Sequence, residues 1–227
     1  MKAYVSLSLF LFAFGNRASA QIDELLPEIN ATYKLNQDVR CVFQAKETRE
    51  AGDPTTSEIG PSFDFYLKRL SRLIDIVNSD PDDSKSQLLV FSFGYRYLPT
   101  PGEPPTNRLE PVLTIHFPVP KTRLLFSDRN RADLDWKDNK FSWRYRNRVQ
   151  LERSISIHSY RFSPYVSAEF FYESQYQKWA DTALYAGCLF PIGGHVRFNP
   201  YYEYQNITGK RPNELLDQLG LALDLYF

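Results

Sequence analysis

The chain has 227 residues, with Lys plus Arg and Asp plus Glu balanced at 27 each, which argues against a basic nucleic-acid surface or an acidic tail. It carries 15 Tyr, 17 Phe and 3 Trp, yet its mean hydropathy is polar at -0.43. After the first 20 residues no apolar run approaches the roughly 20 residues of a spanning helix, so a helical membrane protein is excluded. The remaining choices are a soluble product or a chain that crosses a membrane as strands.

The opening MKAYVSLSLFLFAFGNRASA has Lys2 as a positive start, an apolar stretch from Ala3 to Phe14, and Ala18-Ser19-Ala20 as a small-residue cleavage site. That is the pattern of a secretory signal peptide, residues 1–20, and fold reasoning starts at Gln21, with 21–227 expected as a single domain. A lipoprotein is not expected, because the first cysteine is Cys41.

From there the period is two, the signature of strands with unlike faces. Glu28 to Leu35 places Ile29, Ala31, Tyr33 and Leu35 outward; Asp38 to Thr48 places Val39, Cys41, Phe43 and Ala45 outward against Arg40, Gln44 and Lys46. Glu50 to Ser57 reads as a loop by composition, and a strand starts near Ser62. Arg69 to Val77 (RLSRLIDIV) leaves a bent continuation, a further strand and a short helix all open. Asn78 to Ser86 is a polar connector, and its Asp80, Asp82 and Asp83 read as a solvated turn rather than a calcium site.

Leu88 to Leu98 and Arg108 to Phe117 are clear strands separated by the proline-rich Pro99 to Thr106, which cannot supply ladder donors. Pro118 to Pro120 turns into a strand at about Thr122 to Arg131, followed by an expected loop from Asp133 to Lys140. Phe141 to Ile155 carries Arg144, Arg146, Arg148, Gln150 and Glu152 in one row. Pro164 to Glu173 follows with Glu169 and Glu173 inward; then come Ala180 to Phe190 and His195 to Gln205, the latter with Arg197 and Glu203 inward. The last strand, DQLGLALDLYF, alternates Leu219, Leu221, Leu223, Leu225 and Phe227 against Gln218, Gly220, Ala222, Asp224 and Tyr226.

Eleven strands are legible, and bacterial single-chain barrels have an even number. The expected fold is therefore an all-β, antiparallel transmembrane β-barrel of twelve strands, with the twelfth at Arg69 to Val77, or of ten if the first strand lies outside. With Phe227 at the periplasmic end, the turns at Pro118 to Pro120 and Pro191 to Gly194 fall on that side. Trp136, Trp143 and Trp179 then gather at the outer rim, where an aromatic belt is expected.

The inward rows predict a luminal charge network of Arg144, Arg146, Arg148, Glu152, Glu169, Glu173, Arg197, Glu203 and Asp224. Buried charges need partners, so pairing across strands is expected to fill the lumen. His116, His158 and His195 stand in no Ser or Asp constellation, and no metal, phosphate or nucleotide motif appears, so neither catalysis nor a cofactor is expected. Cys41 and Cys188 both phase outward on separate strands and are not expected to bridge.

The segments FGYRY (Phe93 to Tyr97), FSWRYRNRVQLER (Phe141 to Arg153), PYVSAEFFYE (Pro164 to Glu173), YAGCLFP (Tyr185 to Pro191) and the terminal GLALDLYF carry a resemblance covering Leu88 to Phe227. The chain resembles an uncharacterised bacterial outer-membrane β-barrel family, a domain of unknown function. The resemblance implies location and fold and brings no activity. The alternating C-terminal strand with Phe227 also resembles the assembly signal of such barrels, which implies outer-membrane lipid and the barrel-assembly machinery as partners. The expected role is a structural component or narrow small-solute pore. An outer-membrane hydrolase and a soluble secreted β-barrel or sandwich binder are the alternatives.

Overall fold

The computed structural model describes residues 22–50, 53–69, 80–119, 122–209 and 212–227. Its strands are β1 (Glu24–Lys34), β2 (Val39–Glu50), β3 (Asp53–Arg69), β4 (Gln87–Leu98), β5 (Thr106–Val119), β6 (Leu124–Lys137) and β7 (Lys140–Arg153). After the three-residue β8 (Ile155–Ile157) come β9 (Tyr160–Glu173), β10 (Lys178–Ile192), β11 (Val196–Ile207) and β12 (Glu214–Tyr226). A 3-10 turn, Asp83–Ser86, precedes β4.

Each strand pairs with its sequence neighbours, except that β9 bonds to β7 and β10 while β8 only forms a small hairpin with the start of β9. The ring closes where β12 pairs with β1, and that one seam is parallel. Eleven strands thus form a closed, mostly antiparallel barrel with one short strand outside it. An odd ring must contain one parallel pair, because alternation of direction fails once around.

The ring differs from the expected one: β3 and β4 pair directly through Ser62↔Gly94 and Phe63↔Phe93, so among the described residues no strand stands between them in the sheet. Beyond Arg69 itself, the stretch expected to hold a twelfth strand falls outside the described residues. The ten-strand alternative also fails, since β1 has partners on both sides.

Two expected loops are strand. Of the stretch from Glu50 to Ser57, Glu50 and Asp53 to Ser57 belong to the paired ends of β2 and β3, with Thr48 opposite Thr56; Pro54 sits beside the bulge at Thr48/Arg49, where a missing N–H disturbs the ladder least. Asp133 to Lys137 completes β6, because Asp138 and Asn139 both adopt positive φ (50° and 59°) and close the hairpin in two residues. The expected asymmetry of short turns and long loops is absent too. The longest connection, between β3 and β4, lies at the same end as Phe227.

Alternation then sorts the side chains. Large apolar groups such as Ile29, Phe43, Phe63, Phe93, Phe117, Phe170 and Leu184 are exposed on the outer face, while charged groups such as Asp64, Arg96, Glu110, Asp133, Glu169 and Asp224 are buried in the middle. An apolar core does exist, but it is a patch on the inner face of β9 and β10: Tyr165, Phe171, Ala183, Tyr185 and Leu189, with Tyr201 against it. Glycine makes room for these rings. Tyr201 faces Gly220 across β11–β12, and a Cβ at Gly220 would overlap the Tyr201 ring. Gly220→Leu is therefore expected to cost about 1–3 kcal/mol by overpacking, read as a lowered midpoint in chemical unfolding. An unchanged midpoint would mean that the ring has room to swing away.

Candidate functional site: a charged lumen

Three groups of side chains occupy the interior. The first is an arginine wall on β5, β6 and β7. Register places Arg148 opposite Glu169 and Arg144 opposite Glu173 across β7–β9. Arg146 Nε and Nη2 donate to the two Glu169 oxygens at 2.8 and 2.9 Å, a bidentate pair, and Arg148 Nη2 donates to Oε2 at 2.7 Å. The Tyr185 hydroxyl donates to the same carboxylate at 2.8 Å. Arg144 reaches Glu173 at 3.4 Å and Asp133 at 3.0 Å. Asp133, 0% exposed, also accepts from Arg131 and has Arg146 at 3.8 Å and Arg108 at 4.0 Å. Stacking stiffens the wall: the Arg146 guanidinium lies 4.8 Å from the centre of the Phe171 ring, and that of Arg148 lies 4.3 Å from Tyr185.

The second group comes from the β3–β4 connector, whose described part folds across the barrel end that holds Phe227. Asp82 caps the 3-10 turn through Ser84 and accepts from Arg40 Nη1 of β2 at 2.7 Å. Arg197 of β11 reaches Asp80 at 3.0 Å, Asp82 at 3.3 Å and Asp224 at 2.8 Å. Lys85 bridges Asp80 at 2.5 Å and Glu152 of β7 at 2.8 Å. Asp83 accepts from the Tyr66 hydroxyl of β3 at 2.5 Å and from Lys34 of β1 at 2.6 Å. The connector is thus tied to five strands by charge-assisted bonds and acts as a plug. The solvated turn expected for Asp80 to Asp83 is corrected: these carboxylates are neutralised by barrel cations. Among the described residues no group of His, Cys, Asp and Glu is arranged to hold a metal ion.

Electrostatics fixes the plug's charge states. Burial alone would push the Asp82 carboxyl up, but Arg40, Arg197 and Lys85 outweigh it and hold Asp82 well below the usual carboxylate range. Asp80 is held low against its burial by Lys85 and Arg197. Burial would push Lys85 down, yet Asp80 and Glu152 raise it.

The third group is an acidic wall on β1, β2, β11 and β12. Glu24, Glu28, Glu50, Glu203 and Glu214 line it, with Lys46 as the cation nearest Glu28 and Glu203. Glu28 Oε1 accepts from Asn30 at 2.7 Å and from Gln44 at 2.8 Å, so amides bond this oxygen without cancelling the carboxylate's charge. The two walls face each other across a cavity of about 630 Å³. Smaller spaces of about 320 and 270 Å³ lie toward the plug.

The structure gathers the nine network residues expected from sequence into separate places. Arg144, Arg146, Arg148, Glu169 and Glu173 form the arginine wall. Arg197 and Asp224 join the plug, Glu152 pairs with plug residue Lys85, and Glu203 belongs to the acidic wall. Of the terminal-strand residues, Leu219, Leu221, Leu223 and Leu225 point outward, opposite the buried row Gln218 to Tyr226. The Phe227 N–H donates to the Thr32 carbonyl at 2.9 Å, and its carbonyl accepts from Lys34 N–H at 3.2 Å, closing the parallel seam.

His116 and His195 each meet a backbone carbonyl, of Gln87 and Tyr226, at 2.9 Å; His158 sits in the β8–β9 turn with positive φ. Cys41 and Cys188 are free, on the non-adjacent β2 and β10. Sequence reading missed Asp133 and Asp135, taken for loop although they continue the two-residue period of Arg129 and Arg131. It also missed Lys85, whose partner lies 67 residues away.

A closed β-barrel with its ion pairs inside and large apolar side chains exposed on its outer face defines the class. Within that class, the chain belongs to the family described as "Protein of unknown function (DUF2490)", whose model matches residues 86–215, from the end of the plug to the start of β12. No curated protein matches the chain.

Proposed function

We propose that the protein is an exported, membrane-spanning barrel of the bacterial outer-membrane type, serving as a structural component or as a narrow pathway for small solutes. One observation carries this reading: the inversion of polarity, with ion pairs in the interior and large aromatic and aliphatic side chains on the outer face of strand after strand. In water such an exterior would be an aggregation surface; in a bilayer it is the solvated face. The ring strands run from 11 to 17 residues, and crossing a bilayer takes a tilted strand of about 9–11.

An aromatic group fits a membrane–water interface at one rim. Trp143 packs on Tyr172 at 5.5 Å, Trp179 meets Tyr172 at 5.8 Å, and Trp136 meets Phe141 at 5.2 Å. One polar patch interrupts the outer belt, where Asn147 donates to Asp128 at 2.7 Å and Tyr145 to Asn130 at 2.5 Å. These groups satisfy one another, which lowers their cost in an apolar surrounding.

Heat-modifiable migration tests the proposal: unboiled protein in detergent should run at a different position from boiled protein and fractionate with membranes. Identical migration together with recovery in the soluble fraction would favour the secreted-binder alternative. The C-terminal strand is the expected contact with the assembly machinery. Deleting Phe227 should sharply lower the inserted fraction, and Leu223→Arg should cost about 2–4 kcal/mol at the bilayer midplane. Full insertion of both variants would remove the strand from that role. An eleven-strand crossing also puts the start of β1 and the end of β12 on opposite sides, so tags just before β1 and in the Gly193-Gly194 turn should be reachable from opposite faces.

A further inference from the structure

The main cavity is built with opposite signs on opposite sides. In ring order β6 lies five strands from β1 one way and five from β12 the other way, so the arginine wall and the acidic wall are diametrically opposed. Two of the acids that balance the arginines stand behind them: Asp133 and Glu169 are 0% and 3% exposed and do not line the cavity, whereas Arg129, Arg131, Arg144, Arg146 and Arg148 do; Glu58 lines it beside Arg108 and Arg131, at 3.6 and 3.8 Å. On the far side the carboxylates of Glu24, Glu28, Glu203, Glu214 and Asp224 line the cavity and outnumber the cations Lys46 and Arg197 that line it with them.

Arg129 stands out within this arrangement. It lines all three luminal spaces and so marks their junction. Every other arginine of the wall is ion-paired. Among the described residues Arg129 has neither an ion pair nor a side-chain hydrogen bond, and the charges that act on it are mostly cationic, Arg148, Arg131 and Arg146, with Glu169 opposing them. A guanidinium with five donors that faces the lumen without a protein acceptor, mostly among like charges, is suited to an oxyanion.

We propose that this cavity binds a small zwitterionic solute, with its carboxylate on Arg129 and its ammonium toward Glu28 and Glu203. A simple anion would be drawn to Arg129 but repelled by the far wall, and a simple cation would meet the reverse. Only a solute carrying both charges gains from both walls. The cavity lining reaches Glu50, Ile207 and Glu214 at the strand ends remote from the plug, which gives the solute its entry. The site requires the closed ring alone, so it stands independently of membrane insertion.

The test is calorimetric titration of the full-length protein in detergent with 4-aminobutyrate, butyrate and butylammonium at matched ionic strength. Saturable binding is expected for 4-aminobutyrate and much weaker binding for the other two. Arg129→Gln and Glu203→Gln should each weaken it about tenfold, the loss of one charge-assisted contact, and Arg129→Lys should restore part of it. Circular dichroism and heat-modifiable migration identify any variant that fails to fold; the wild-type ligand comparison then decides alone. Equal binding of butyrate and 4-aminobutyrate, no binding of 4-aminobutyrate, or unchanged affinity in both folded Gln variants would overturn the proposal.

Discussion

Asp133→Asn is expected to destabilise the barrel by about 3–5 kcal/mol, the cost of stripping a buried charge cluster of one partner. The substitution conserves volume and leaves no cavity, so the effect is electrostatic. Arg131 and Arg144 lose their shared carboxylate, and Arg146 and Arg108, at 3.8 and 4.0 Å, lose a counter-charge. Asp135→Asn is the matched control. Asp135 is more exposed and serves Arg108 alone through bonds of 2.6 and 2.9 Å, so a change of about 1 kcal/mol is expected there. Denaturant unfolding of the two variants gives the comparison. Equal losses would mean that the arginine wall is held by stacking on Phe171 and Tyr185 rather than by Asp133.

The second large effect concerns the plug. In planar bilayers the unmodified protein is expected to carry little or no steady current, because Asp80 to Ser86 spans one barrel end and is tied to β1, β2, β3, β7 and β11. Replacing Asp80 and Asp82 together by Ala removes the bonds that tie the plug to Arg40 and Arg197, which keep Asp64 and Asp224, and should produce a clear rise in conductance. Truncating Arg144, Arg146 and Arg148 to Ala should raise conductance as well, but it also strands Asp133 and Glu169 and so mixes opening with unfolding. Large open currents from the unmodified protein would sink the plug reading.

The pH response follows from the same groups. Asp80 and Asp82 are held below the ordinary carboxylate range, so their stabilisation is complete above about pH 4, their unfolded value, and is lost only as pH falls through the lower folded values. Lys85 is raised, so its contribution is complete below about pH 10, its unfolded value, and fades as pH rises through the folded one. The plug should therefore stay seated from about pH 4 to 10 and loosen only beyond that window, at either end. Opening near pH 6 would point to a histidine instead, with His116 beside Gln87 as the first residue to replace.

The sequence by itself determined which side chains face in and which face out. A strand offers two faces at a strict period of two, so Arg144, Arg146 and Arg148 can be assigned to one side without knowing any neighbour. It also determined that Glu169 and Glu173 would meet those arginines, because consecutive antiparallel strands are spatial neighbours. Only the tertiary structure decided how the ring closes, since pairing β1 with β12 joins segments some 190 residues apart and no local pattern encodes whether that seam is parallel. It decided equally that the acidic connector is a plug. NSDPDDSKS is polar enough for a solvated turn, and the burial of Asp80, Asp82 and Lys85 within it depends on Arg40, Arg197 and Glu152, three groups from distant strands whose charges offset the loss of water. The opposition of the two luminal walls has the same origin: each wall is legible strand by strand, but that they face one another follows from the number of strands in the ring.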